Sequence, residues 1–135
     1  MKKYTAYLMV LAVIFALAAI GCSAAAPAPV TKFGGKGTYQ AVQLSKKQAE
    51  GYIIPIGLAN IVCAITDVGM IGCGAFDVMA LDAFRYPAAK IKSSTGGSIA
   101  TVDDLLNGTV KEVNKEAEKL GIKTGMTGRE ALEQL

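Results

Sequence analysis

The chain has 135 residues, a length that allows one compact domain. It contains no histidine, which excludes Ser-His-Asp and Cys-His catalytic units and histidine-ligated zinc. Hydrophobic residues make up 52% of the chain, and the formal net charge is +3. Removal of Lys2 and Lys3 with an export signal lowers that charge to +1, so we predict that the protein does not bind nucleic acid.

The N-terminus has the pattern of an export signal. Lys2 and Lys3 precede an apolar run over residues 6–20, which is shorter than the roughly 20 residues of a membrane-spanning helix. Small residues then lead to Cys22, as in lipoproteins whose cysteine receives a lipid. We predict a signal peptide over residues 1–21, lipid attachment at Cys22 and extracytoplasmic anchoring to a membrane of the cell envelope. The alternatives are an uncleaved anchor helix and ordinary secretion.

The composition after Cys22 separates a linker from a folded region. Residues 23–30 are mostly alanine and proline, which is typical of an extended tether. We therefore predict a lipidated cysteine and flexible tether over residues 22–36. A single domain is expected over residues 37–135.

The first half of this domain is rich in β-branched and aromatic residues, which favours strands. The predicted strands cover residues 38–44, 52–58, 60–66, 70–76 and 88–92. A hairpin is predicted to join the third and fourth strands across residues 67–69, with Gly69 in the left-handed conformation.

Helical signals dominate after residue 100. Residues 77–84 predict a short helix capped by Asp77, and capping-box patterns begin at Thr101, Thr109 and Thr127. The spacing of four apolar residues predicts one buried helix stripe that ends at a Gly121 cap; these residues are Val110, Val113, Ala117 and Leu120. Strands followed by helices predict an α+β fold, with a small antiparallel or mixed sheet and helices concentrated in the C-terminal third.

Three segments resemble the YunC-like family, a set of small bacterial and archaeal proteins classed as a domain of unknown function. They read GMIGCGAFDVMALD, TVDDLL and LGIKTGMTGREALEQL, and the resemblance covers roughly residues 52–135. It implies a small α+β domain and no particular reaction. The export signal is a departure from the family. Twelve positions match the family pattern: Gly69, Cys73, Gly74, Asp77, Gly121, Gly125, Met126, Gly128, Arg129, Glu130, Ala131 and Leu132.

Cys73 is the leading candidate for chemistry. It lies between Gly72 and Gly74 at the end of a predicted strand and just before a predicted helix, where a helix dipole favours the thiolate. The neighbouring glycines would let a ligand approach the backbone, and Asp77 is the candidate base. The alternative is a small buried apolar cysteine in a crowded sheet.

Cys63 offers another interpretation of Cys73. With a hairpin loop over residues 67–69, the two cysteines would face each other directly, and a disulfide would be compatible with an extracytoplasmic location. A register shift of one residue would instead place the two thiols on opposite faces of the sheet.

The predicted start of the last helix is a second candidate ligand site. Backbone N–H groups and a guanidinium there could bind an anion; the residues are Gly125, Met126, Thr127, Gly128 and Arg129. The alternative is a capped helix whose arginine pairs with a local carboxylate. Capping and solvation account for the aspartate pairs in the chain, so no metal and no other cofactor is predicted.

Two functional hypotheses follow, from different classes. The favoured one is a non-enzymatic binding or interaction module, held at the membrane by its N-terminal lipid, with a small molecule or a protein as its partner. The other is a thiol-dependent enzyme or redox protein that uses Cys73. A homo-oligomer that pairs its sheet edges is a further alternative.

Overall fold

The structure, a computed structural model, describes residues 37–135. The predicted signal peptide, the lipid site at Cys22 and the tether lie outside these residues. The described part contains a six-stranded sheet in which the order of strands in space follows their order in the chain. Its strands are β1 (Thr38–Gln43), β2 (Gln48–Pro55), β3 (Asn60–Ile65), β4 (Met70–Gly72), β5 (Ala88–Lys92) and β6 (Thr109–Val113). Strands β4 and β5 run parallel, and the other neighbours are antiparallel.

Three α-helices follow β5 in the chain, which confirms the predicted α+β fold with its helices concentrated in the C-terminal third. They are α1 (Val102–Asn107), α2 (Lys115–Lys119) and α3 (Gly128–Gln134). Capping boxes at Thr101 and Thr127 begin α1 and α3, as predicted. Gly121 follows α2 with φ +91, the left-handed conformation expected after a helix end. None of the helices in residues 37–135 is long and apolar enough to cross a bilayer.

One predicted element is wrong in kind, and another is shorter than predicted. Residues 109–113 form the edge strand β6 rather than a helix, because they pair with β5 and Val110 is buried in the core. The helix starts later, at Lys115, with the Asn114 side chain as its cap. Residues 77–84 contain a short 3₁₀ helix, Ala80–Phe84, although the Asp77 carboxylate still accepts a hydrogen bond from the Ala80 N–H at 3.2 Å.

The register of the β3–β4 hairpin corrects the disulfide prediction. The loop has four residues, 66–69, because the Thr66 hydroxyl accepts hydrogen bonds from the N–H groups of Val68 and Gly69. Cys63 is therefore opposite Gly72 rather than Cys73, and both thiols are free. The prediction of a left-handed backbone at Gly69 is also wrong, because its φ is not positive. A Cβ at this position would lie 2.4 Å from the Pro87 carbonyl oxygen, so close packing explains the glycine.

The hydrophobic core is divided between the two faces of the sheet. Helices α1 and α3 cover one face, where Leu105 and Leu132 pack with Ile71 and Ile91 in the main cluster. The 3₁₀ segment covers part of the other face, over a smaller cluster that contains Cys63 and Val78. The two cysteines belong to different clusters, since Cys73 is in the main one.

The sheet has two distinct ends. We call one the turn end; it holds the β1–β2 turn, the β3–β4 loop and the start of β5. We call the other the cavity end; it holds the β2–β3 loop, residues 73–75 after β4 and residues 93–99 after β5. The first residue of β1, Thr38, pairs with Ile53 and so lies towards the cavity end.

Candidate ligand-binding site

A cavity of about 430 Å³ opens at the cavity end of the sheet. The ends of β4 and β5 and the start of β3 contribute to its wall, through Cys73, Lys92 and Asn60. The other lining residues come from β5, from β6 and from the three segments at the cavity end: Ile56, Ala59, Gly74, Ala75, Lys90, Ile91, Ser93, Gly97, Ser98, Ile99 and Lys111. This combination of apolar surface and a few polar groups is typical of a small-molecule site.

Cys73 lines this cavity, but its environment is that of a structural thiol. The residue is 5% exposed, and its Sγ accepts a hydrogen bond from the Val62 N–H at 3.4 Å. Its own N–H donates to the Val62 carbonyl oxygen at 2.9 Å. These contacts fix the residue against β3.

The predicted pairing of Cys73 with Asp77 as its base is not assembled. Asp77 is exposed, caps the 3₁₀ turn and is not among the cavity-lining residues. The residues that line the cavity include no aspartate, glutamate or histidine. The carboxylate predicted as the base for Cys73 is therefore not part of this wall.

Gly74, which was predicted to bind a ligand, lines the cavity and has open space beside it. It is exposed, and an added Cβ would have no heavy atom within 4 Å. At Gly72, in contrast, the Phe76 ring occupies the space beside the backbone, and an added Cβ would lie 2.5 Å from a ring atom. The two glycines beside Cys73 thus have different roles, packing for Gly72 and access for Gly74.

Three lysines in the cavity wall were not predicted from the sequence. Lys90 and Lys92 alternate along β5, and Lys111 lies across the bulge between β5 and β6. The Lys90 ammonium contacts Glu112 at 2.7 Å, and the Lys111 ammonium lies 4.0 Å from the same carboxylate. Lys92 has no ion-pair partner within residues 37–135. The wall therefore carries a local excess of positive charge.

At the start of α3, where the sequence predicts an anion site, four of the backbone N–H groups already have partners within the domain. Gly125 donates to Val110, Met126 to Lys123, and Gly128 to Gly108. The Thr127 N–H donates to the Glu130 carboxylate at 2.8 Å, and this hydrogen bond lowers the pKa of that carboxyl. A helix of seven residues also provides only a weak dipole.

The remaining features of this motif are explained by packing. A Cβ at Gly128 would lie 2.1 Å from the Leu105 carbonyl oxygen, so the glycine allows α1 and α3 to approach each other. The Arg129 guanidinium donates to the Gln43 carbonyl oxygen at 3.2 Å and pairs with no carboxylate in the described residues. Met126 is half-buried against the main cluster.

Cys63 lies in the smaller cluster on the other face of the sheet. Burial, with a smaller contribution from the Cys73 charge, raises the pKa of the Cys63 thiol to about 11. Burial also raises the pKa of Tyr86, which belongs to the same cluster. Cys63 is consequently a neutral thiol at physiological pH.

Two other surface hollows are lined by fewer charged residues. One, of about 330 Å³, has Glu50 and Asp67 in its wall, and Asp67 is already paired with Lys47 at 3.0 Å. The other, of about 430 Å³, has one acid and one base, Glu118 and Lys123. Within residues 37–135 no group of three metal-ligating side chains comes together.

The fold and the cavity define a small α+β domain with a ligand-sized opening at one end of a mixed sheet. Residues 72–135 match the family described as Domain of unknown function (DUF1805). The chain is also 40% identical over 73 residues to the Uncharacterized protein YunC of Bacillus subtilis (strain 168), a match that covers 54% of this chain and 71% of that protein. The chain belongs to the YunC-like family, and the resemblance seen in its motifs is confirmed.

A solved structure shares this fold. The crystal structure of a protein of unknown function, TA1206 from Thermoplasma acidophilum, matches with a TM-score of 0.66 at 22% identity. The match covers 76% of this chain and 97% of that chain. At this identity the likeness shows the fold alone, and neither relative's name states a ligand or a reaction.

Proposed function

We propose that this protein is a membrane-anchored, non-enzymatic binding module that holds a small molecule in the cavity at the cavity end. The observation that carries the proposal is the cavity itself. It joins apolar walls, an open glycine and an excess of lysines in one opening. Binding sites of this kind hold a ligand by its apolar body and orient it with a few polar groups.

No aspartate, glutamate or histidine lines the cavity beside Cys73, which supports binding over thiol catalysis. A thiol enzyme would need its nucleophile activated by a neighbouring base or by a lowered pKa. The Cys73 Sγ instead accepts a backbone hydrogen bond in a buried position.

Anchoring at the membrane is supported by the sequence of residues 1–22. A positive start, a short apolar run and small residues before Cys22 together favour lipid attachment. The lipid would hold the binding domain at the envelope surface.

Mass spectrometry of the protein extracted from its own membrane tests both parts. Under denaturing conditions we expect a mass that begins at Cys22 with a diacylglycerol-sized addition. Under native conditions we expect a bound small molecule that is lost in Gly74→Leu, which fills open space in the cavity. Asn107→Leu introduces the same apolar side chain at an exposed position outside the cavity and serves as the control.

Two results would replace the proposal. A chain that begins at Met1, or just after Cys22, would remove the lipid anchor. Turnover that disappears in Cys73→Ala would move the protein to the class of thiol-dependent enzymes.

A further inference from the structure

The charges in the cavity wall restrict the ligand that it can hold. Lys90, Lys92 and Lys111 line the cavity, whereas no acidic residue does. The nearest carboxylate, Glu112, contacts Lys90 at 2.7 Å and lies 4.0 Å from Lys111. Glu112 thus contacts two of the three ammonium groups, and the four side chains together carry an excess of about two positive charges.

These charges are not all fully solvated. The Lys90 side chain is 17% exposed, and its pairing with Glu112 holds that ammonium at the cavity wall. Lys92 and Lys111 are exposed at the rim, where they can move towards a ligand. An anion that reached the wall would be partly removed from water, where each charge interaction is stronger than in bulk solvent.

The same opening also has an apolar side. Ile56 lines the cavity and is 55% exposed, and Leu58 in the same loop is fully exposed. Ile91 and Ile99 form the buried part of the wall. Exposed aliphatic side chains next to a cavity favour a ligand with an apolar body.

We infer that the ligand of this cavity is an organic anion with a phosphate or carboxylate head and a short apolar body. Lys92 and Lys111 bind the head, and Ile56 and Ile99 contact the body. The inference rests on the proposed binding function and adds the chemical class of the ligand. Two sources share this chemistry: a soluble metabolite and the head-group region of an acidic lipid.

The path of the chain gives the membrane source a structural basis. Thr38 lies towards the cavity end, so the preceding sequence joins the domain on that side. Cys22 is 16 residues before Thr38. A lipid at Cys22 would therefore tether the domain from the end that carries the lysines and the exposed Ile56 and Leu58.

Calorimetry with the full chain in phosphatidylcholine nanodiscs tests the inference, with protein-free discs as the blank. The probes are hexyl phosphate, neutral hexyl glucoside and cationic hexyltrimethylammonium. We expect saturable binding of hexyl phosphate, at least about tenfold tighter than either of the other probes. The double variant Lys92→Gln, Lys111→Gln should weaken it about tenfold. The matched control is Lys115→Gln, Lys123→Gln, which changes the net charge equally outside the cavity and should leave the affinity unchanged.

Each remaining outcome is decisive. Equal binding of the three probes, abolished by Gly74→Leu, would overturn the anion inference and leave the proposed binding function standing. No binding of any probe would count against both. If phosphatidylglycerol in the discs competes with hexyl phosphate, the inference holds with a lipid as the source, and if it does not, the inference holds with a soluble anion.

Discussion

The two ends of the sheet are built differently. At the turn end the polar side chains contact one another across long stretches of sequence. The Ser45 N–H and hydroxyl donate to the Glu133 carboxylate, and the Lys47 ammonium donates to Asp67 and to the Leu135 carbonyl oxygen. At the cavity end Lys92 has no ion-pair partner in the described residues, and Gly74 has empty space beside it. The difference indicates that stability is concentrated at one end and ligand contact at the other.

The largest expected effect comes from Asn114 at the turn end. Its buried side chain donates to the Val78 and Tyr86 carbonyl oxygens and accepts from the N–H groups of Ala88 and Ala117. Asn114→Ala leaves these groups without partners and should lower the free energy of unfolding by about 4 kcal/mol. Urea denaturation measures the change, with the exposed Asn107→Ala as a control near zero. A loss below about 1 kcal/mol would show that the turn end does not depend on this side chain.

A matched pair of glycines gives the next largest contrast. Gly69→Ala at the turn end brings a Cβ to 2.4 Å from the Pro87 carbonyl oxygen, a backbone atom that cannot move freely. We expect a loss of about 3 kcal/mol in the free energy of unfolding. Gly74→Ala at the cavity end meets no atom within 4 Å and should change stability by less than about 0.5 kcal/mol. Thermal or urea denaturation of both variants checks the contrast, and equal losses would refute it.

A smaller effect is expected at alkaline pH. Burial raises the pKa of Cys63 from 9.0 to about 11, so between these values the unfolded chain has released a proton that the folded chain still binds. Stability should therefore fall as the pH rises through this window, by up to about 2 kcal/mol. The raised pKa of Tyr86 acts in the same direction at its upper end. Cys63→Ala should flatten the decline measured by urea denaturation, and an unchanged slope would assign it to other groups.

The two thiols should also differ in reactivity, although this does not change stability. At pH 8 only about one thousandth of Cys63 is thiolate, and its side chain is enclosed in the smaller cluster. Cys73 lines an open cavity, so iodoacetamide should label it first in the native protein. Peptide mass mapping distinguishes the sites, and Gly74→Leu should slow the labelling of Cys73 alone. Faster labelling of Cys63 would contradict the assignment of Cys73 to the cavity wall.

Local sequence patterns were sufficient for elements whose signals are local. The capping boxes at Thr101 and Thr127 depend on residues three positions apart, and both are present. The third pattern, at Thr109, has the same spacing but forms β6, because pairing with β5 outweighs it. The sequence of residues 109–113 does not indicate this pairing, because β5 lies about 20 residues earlier in the chain.

The candidate site was harder to predict than the fold. Cys73 and Gly74 stood out because of their glycine-rich context, and both line the cavity. The lysines could not be recognised from the sequence, because Lys90 and Lys111 are brought together only by the β5–β6 pairing. The register of β3 and β4 was missed by one residue because the Thr66 side chain, rather than a glycine, determines the length of the loop.

The strands of this sheet are laid down in the order in which they are synthesised, and this order has a consequence for folding. Each new strand can pair with the one before it. Strand pairing therefore needs few contacts between residues that are far apart in the sequence, and we expect rapid folding. The contacts of the C-terminal residues with the early strands are different, since those of Ser45 with Glu133 and of Lys47 with Leu135 each span 88 residues. The turn end is therefore completed last, when the C-terminal residues reach a sheet that has already formed.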